Sequence, residues 1–120
     1  MTKFIDHTFV VCAYKESPYL EECINSLEKQ NVRSNIIIST STPNIFIEEI
    51  AQKHNIELYV NKKESGIGQD WNFGISNTNT KYVTIAHQDD IYNANYLEEI
   101  VNRIDENNKM IADSCREWME

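Results

Sequence analysis

The sequence predicts an α/β domain of three layers, α/β/α, on a mainly parallel sheet, and three observations lead there. Apolar runs of strand length alternate along the chain with segments of helical periodicity, the pattern of repeated βα units joined by right-handed crossovers. Polar segments close the apolar runs at their carboxyl ends, where open parallel sheets bind ligands. No internal repeat, low-complexity tract or linker divides the 120 residues, so a single domain, 1–120, is expected.

Phe9, Val10, Val11, Cys12 and Ala13 form an unbroken apolar run, which suits a central strand covered on both faces. Ser17 followed by Pro18 reads as an N-cap and first helical position, with Glu21 and Glu22 facing the positive end of the helix dipole. Leu20, Cys23, Ile24 and Leu27 then share one stripe of that helix. Residues 36–38, all isoleucine, predict a second buried strand, ended by a loop of Ser39, Thr40, Ser41, Thr42 and Pro43. A second helix is expected from Asn44 to about His54 on the spacing of Ile47, Ile50 and Ala51. A third strand follows where Ile56, Leu58 and Val60 alternate. Segment 61–68 holds two of the three glycines and reads as a loop, followed by a short helix over 69–77. Residues 81–86 are the fourth strand, and Leu97, Ile100, Val101 and Ile104 mark a last amphipathic helix. Met110, Ile111 and Ala112 would begin a fifth strand. Segments 14–17, 39–42, 61–68 and 87–90 therefore converge on one rim.

A net charge of −8 opposes binding to a nucleic-acid backbone or an anionic membrane, while a nucleotide screened by a cation remains compatible. No apolar run approaches the ~20 residues of a membrane span, and the first residues lack the pattern of a signal peptide. A cytoplasmic location is expected. Three cysteines are an odd number, and Cys12 and Cys23 fall within apolar patterns, so they read as reduced core residues.

Asp89 and Asp90 stand together at the end of the fourth strand, where adjacent carboxylates repel each other unless something neutralises them. Mg²⁺ or Mn²⁺ would do so, since such ions bind through one or two carboxylates plus substrate phosphates. The alternative is that Asp90 caps or leads a helix beginning near Asn93. His87 reads as a ligand, as a hydrogen-bond partner for a ribose, or as a polar residue ending a strand. Gly66, Ile67 and Gly68 lack the spacing of either phosphate-binding fingerprint and by themselves mean a turn. Trp71 and Phe73 read as packing residues.

Taken together, three stretches resemble the family 2 glycosyltransferases, inverting enzymes of the Rossmann-like GT-A fold. Residues 9–27 are similar to the family's opening strand and first helix, whose intervening turn holds the nucleotide base; here that turn is Ala13, Tyr14 and Glu16. Residues 66–75 are similar to the segment beneath the donor, with Gly66 at its head and with Asn72 and Gly74 matching best. Residues 82–91 resemble the strand that ends in the DxD-type motif, which gives Asp89 the metal role beside Asp90, with His87 and Gln88 preceding it. The resemblance implies a nucleoside-diphosphate sugar as donor, carried by UDP, with Mg²⁺ or Mn²⁺ as cofactor. The acceptor is unidentified, with a cell-surface glycan or a lipid-linked sugar as candidates, and the complete enzyme would work in the cytoplasm or at the inner face of the membrane.

Two departures from the family pattern bear on specificity. His87 stands where many relatives have the leading aspartate of the motif. Ser39, Thr40 and Ser41 replace an acidic loop whose aspartate commonly reads uracil, leaving hydroxyls to contact the base. The family's acceptor site and catalytic base lie downstream of the metal motif, where this chain has few residues, so the catalytic residue is unassigned and the GT-A domain reads as incomplete. The chain is then the amino-terminal portion of a longer enzyme or a shortened relative that keeps donor binding alone, expected to bind without turnover. The competing reading is a non-catalytic α/β module for nucleotide binding or protein assembly, and a homodimer through the edge begun by residues 110–112 is a further expectation.

Overall fold

The structure, a computed structural model, describes residues 6–62 and 67–107, and of 67–70 and 104–107 the backbone alone. Its elements are β1 (His7–Ala13), α1 (Leu20–Glu28), β2 (Asn35–Thr40), α2 (Ile45–Lys53), β3 (Glu57–Val60), α3 (Ile67–Ser76), β4 (Tyr82–His87) and α4 (Tyr96–Asn107). The four strands are parallel in the order β3-β2-β1-β4, so β1 lies inside the sheet as its apolar run requires.

Alternation along the strands sends side chains to two separate cores. Phe9, Val11 and Ala13 of β1 face α1, α2 and α4, where they meet Leu20, Ile24, Ile47 and Leu97. Val10 faces the other way and packs with Ile37, Val83 and Ile85 beneath Trp71 and Ile75 of α3. The sheet is thus covered on both sides, giving the expected three layers. Cys23 is buried and Cys12 half-buried, and neither forms a disulfide.

Local chemistry fixes the helix ends. Asn44 caps α2 by accepting a hydrogen bond from the Ile47 N–H at 2.8 Å. Regular helix in α1 starts at Leu20, later than Ser17 and Pro18 suggest, because the chain first makes a tight turn. Leu20 N–H reaches the Ser17 carbonyl at 3.2 Å, and the Ser17 hydroxyl accepts from Tyr19 N–H at 3.2 Å. Ser17 therefore does cap a turn, but one that precedes the regular helix.

Two boundaries differ from the sequence reading. Ser39 and Thr40 belong to β2 and not to a loop, each 1% exposed. Their polarity suggested solvent, but α3 covers Ser39, and the Thr40 carbonyl accepts from Asn61 N–H at 2.8 Å in the chain leaving β3. Helix α3 begins at Ile67, two residues earlier than expected, so Gly68 is helical; in the first turn glycine's N–H has no intrahelical partner to lose. Gly66 and the expected strand at 110–112, with the dimer edge it would form, lie outside the described residues.

Candidate functional site

Connections from β1 run through α1 and α2 on one face toward β2 and β3, whereas β3 crosses by α3 on the opposite face to reach β4. The direction of winding thus reverses between β1 and β4. A crevice opens at such a switch, beyond the carboxyl ends of the two strands. Cys12 lies opposite His87 in the register of this pair, which sets the segment from Ala13 to Ser17 against the segment from His87 to Asp90.

The two segments are fastened together. Gln88 grips the backbone of Tyr14 with both ends of its amide: Oε1 accepts from the Tyr14 N–H and Nε2 donates to the Tyr14 carbonyl, each at 3.1 Å. The Ser17 hydroxyl donates to Oδ1 of Asp89 at 2.8 Å. The His87 backbone is held from both sides, its N–H by the Tyr92 hydroxyl at 3.2 Å and its carbonyl by the Cys23 thiol at 3.4 Å. Burial pushes the Cys23 thiol up to about 12, helped by the negative charges of Asp90 and Asp89, so this sulfur is a structural donor and not a nucleophile. Burial likewise pushes the Tyr92 phenol up to about 12.

Asp90 N–H closes a turn onto the His87 carbonyl at 3.0 Å, which lifts both carboxylates above the end of β4, where they are exposed. Regular helix in α4 does not start until Tyr96, whose N–H bonds to the Asn93 carbonyl, so Asp90 is not its cap. The His87 ring is exposed and lies 5.7 Å from the Trp71 ring, which itself packs on the α3 side of the sheet. Asn72 follows Trp71 on α3 and is exposed.

The second loop joins the first. Lys15, in the left-handed region at φ 56°, donates its N–H to the Thr42 hydroxyl at 2.6 Å and accepts from the Asn44 amide at 3.2 Å. Tyr14 and Glu16 are exposed and Ser41 half-buried around this junction, while Ala13 and Thr40 are buried beneath it. The Thr40 hydroxyl is taken by the Thr42 N–H at 3.0 Å. The Ser39 hydroxyl, buried under α3, makes no hydrogen bond among the described residues.

Sequence reasoning missed Ser17 as a partner of Asp89, and Lys15 and Thr42 as the junction of the loops. These contacts join positions far apart in the chain, so no local pattern announces them. Among the described residues, no three His, Cys, Asp or Glu side chains gather closely enough to hold a metal ion. Asp89 and Asp90 offer hard oxygen donors that suit Mg²⁺ or Mn²⁺, provided that other oxygens complete the shell. No helix among the described residues is long and apolar enough to cross a membrane.

Comparison with known proteins bears on the family and the fold. The model of the glycosyl transferase family 2 matches residues 8–118. The chain is 26% identical over 110 residues to the glycosyltransferase GlyA of Streptococcus pneumoniae, covering 88% of this chain and 16% of that protein. It is 30% identical over 117 residues to an uncharacterized glycosyltransferase of Rickettsia conorii, covering 89% and 19%. The chain therefore spans less than a fifth of either relative. Among solved structures, S. aureus TarS 1–349 superposes with a TM-score of 0.74 at 19% identity, over 85% of this chain and 33% of that one. The mannosyltransferase PcManGT from Pyrobaculum calidifontis, in complex with GDP-Man and Mn²⁺, gives 0.70 at 17% identity, over 82% and 32%. TarS 1–349 in complex with UDP-GlcNAc gives 0.69 at 20% identity, over 90% and 37%. These likenesses establish the GT-A fold.

Proposed function

The chain belongs to glycosyl transferase family 2, and on that footing we propose that residues 1–120 form the donor-binding unit of an enzyme that moves a sugar from a nucleoside-diphosphate sugar to an acceptor hydroxyl. The observation that carries this reading is the pair Asp89 and Asp90, exposed at the end of β4 beside the winding reversal, with Asp89 fastened to the opposite loop by Ser17. UDP is the proposed carrier. One structural neighbour is described with UDP-GlcNAc and another with GDP-Man and Mn²⁺, so nucleoside-diphosphate sugar is the class common to both.

In this reading Tyr14, Glu16 and Ser41 border the base, with Ala13, Ser39 and Thr40 as the buried floor beneath them. His87 meets the ribose. Asn72, with Gly66 ahead of it, lies beneath the donor, and Gln88 keeps the Tyr14 turn in place by binding its backbone. Asp89, with Asp90 beside it, holds Mg²⁺ or Mn²⁺. Bound there, such an ion supplies a Lewis acid that stabilises charge on the departing diphosphate. The proton of the acceptor hydroxyl passes to a general base in the part of the relatives' length that lies beyond the matched segment.

Calorimetric titration of UDP and of GDP, each with Mn²⁺ and with chelator, tests the proposal. Binding that needs the metal and prefers UDP is expected. No heat with either nucleotide at millimolar concentration would leave a non-catalytic α/β module as the better reading.

A further inference from the structure

We propose that Ser17 is a positioning residue for Asp89, fixing which carboxylate oxygen faces the cation and tying the metal end of the site to the loop that borders the base; this rests on the donor-binding reading above. A serine hydroxyl has one proton. Here its oxygen accepts from the Tyr19 N–H at 3.2 Å, which directs that proton to Oδ1 of Asp89 at 2.8 Å. Ser17 is 7% exposed, so its hydroxyl is held by the fold, whereas Asp89 is exposed and would otherwise turn freely. With Oδ1 held, Oδ2 is left to face the crevice and the carboxylate is ordered before any ion arrives. Outer-shell hydrogen bonds of this kind orient metal-binding carboxylates and are costly to remove.

The same bond couples two ends of one ligand. Gln88 and Asp89, consecutive in sequence, reach across to Tyr14 and Ser17 on the single turn that follows β1. A nucleotide base settling against Tyr14 and Glu16 therefore presses on the turn that aims the carboxylate.

The measurement is the ratio of nucleotide affinity with Mn²⁺ to that with chelator. It uses whichever of UDP or GDP binds more tightly, in the wild-type chain and in Ser17→Ala, Ser17→Thr and Asp89→Asn. Ser17→Ala should lower the ratio about tenfold, the usual scale for an outer-shell partner, while affinity in chelator changes little; loss of the Tyr19 cap should cost the fold about 1 kcal/mol, a loss that Ser17→Thr avoids. Ser17→Thr keeps the hydroxyl and should keep the ratio. Ser17→Cys, close in size but a weak donor, replaces the alanine variant if that one does not fold, and should lower the ratio too. A wild-type ratio in Ser17→Ala, or an equal loss with and without Mn²⁺, overturns the proposal when Asp89→Asn has abolished the metal effect. A metal effect untouched by Asp89→Asn overturns the donor-binding reading itself, and this proposal with it.

Discussion

Gly74 and Val10 meet so closely that a Cβ at position 74 would lie 2.5 Å from Cγ1 of Val10. Helix α3 therefore rests directly on the central strand, at a distance that only the absent methyl allows. Alanine is the better helix former by about 1 kcal/mol, yet overpacking a dense core costs about 1–3 kcal/mol. Gly74→Ala should be a net loss, read as a lower urea midpoint. Adding Val10→Ala removes the opposing methyl, so the double variant should lose less than the sum of the two single changes, by about 1 kcal/mol or more. Strict additivity would show that α3 does not press on Val10.

His7 makes stability depend on pH. Its ring is buried between Ser34 and Thr84, each hydroxyl 2.7 Å from a ring nitrogen, and burial lowers its pKa from 6.5 to about 3. The unfolded chain takes up this proton first as pH falls, so the stability His7 contributes is complete above about 6.5 and declines from there toward 3. Between pH 7 and pH 5 the loss comes to about 2 kcal/mol. Denaturant titrations at the two pH values should show that loss in the wild-type chain and much less of it in His7→Gln. Equal losses would mean that His7 is not the group responsible.

What could be read from the sequence followed local chemistry. The run from Phe9 to Ala13 declared a central strand because burial on both faces leaves no polar position, and Ile47, Ile50 and Ala51 declared the second helix because their spacing gathers them on one buried stripe. Asp89 and Asp90 stood out because charge at a strand end needs a reason. Ser39 and Thr40 were misread because serine and threonine look like loop. Their burial comes from Gly74, from Asn61 and from the Thr42 N–H, all tertiary neighbours. Ser17 was legible as a cap but not as the partner of Asp89, since a contact across 72 residues leaves no periodic trace.

Lys15 adopts φ 56°, a left-handed conformation that lets its N–H reach Thr42. Glycine takes this conformation without strain, whereas a β-branched side chain resists it. Lys15→Gly should stay within about 1 kcal/mol of the wild-type stability, and Lys15→Val should fall further, on the order of 1–3 kcal/mol for a strained backbone. Thermal melts of both variants decide this. A valine variant as stable as the glycine one would show that the turn accommodates other backbone angles.

Asp89 and Asp90 are adjacent, yet only Asp89 accepts a hydrogen bond from the opposite loop, so they should not contribute alike to metal binding. An ordered carboxylate has little rotational freedom left to lose when it binds a cation, whereas a free one must be immobilised first. Asp89→Ala should therefore remove most of the Mn²⁺-dependent nucleotide affinity, and Asp90→Ala a smaller part. Asp90 is exposed and caps no helix, so Asp90→Ala should hold stability within about 0.5 kcal/mol, whereas Asp89→Ala also removes the bond from Ser17 and should cost about 1 kcal/mol while the fold survives. Calorimetry with and without chelator measures the affinities, and circular dichroism follows the fold. If Asp89→Ala binds the nucleotide in Mn²⁺ as tightly as the wild-type chain does, the carboxylate only ties two loops together. The metal must then be placed elsewhere or left out of the account.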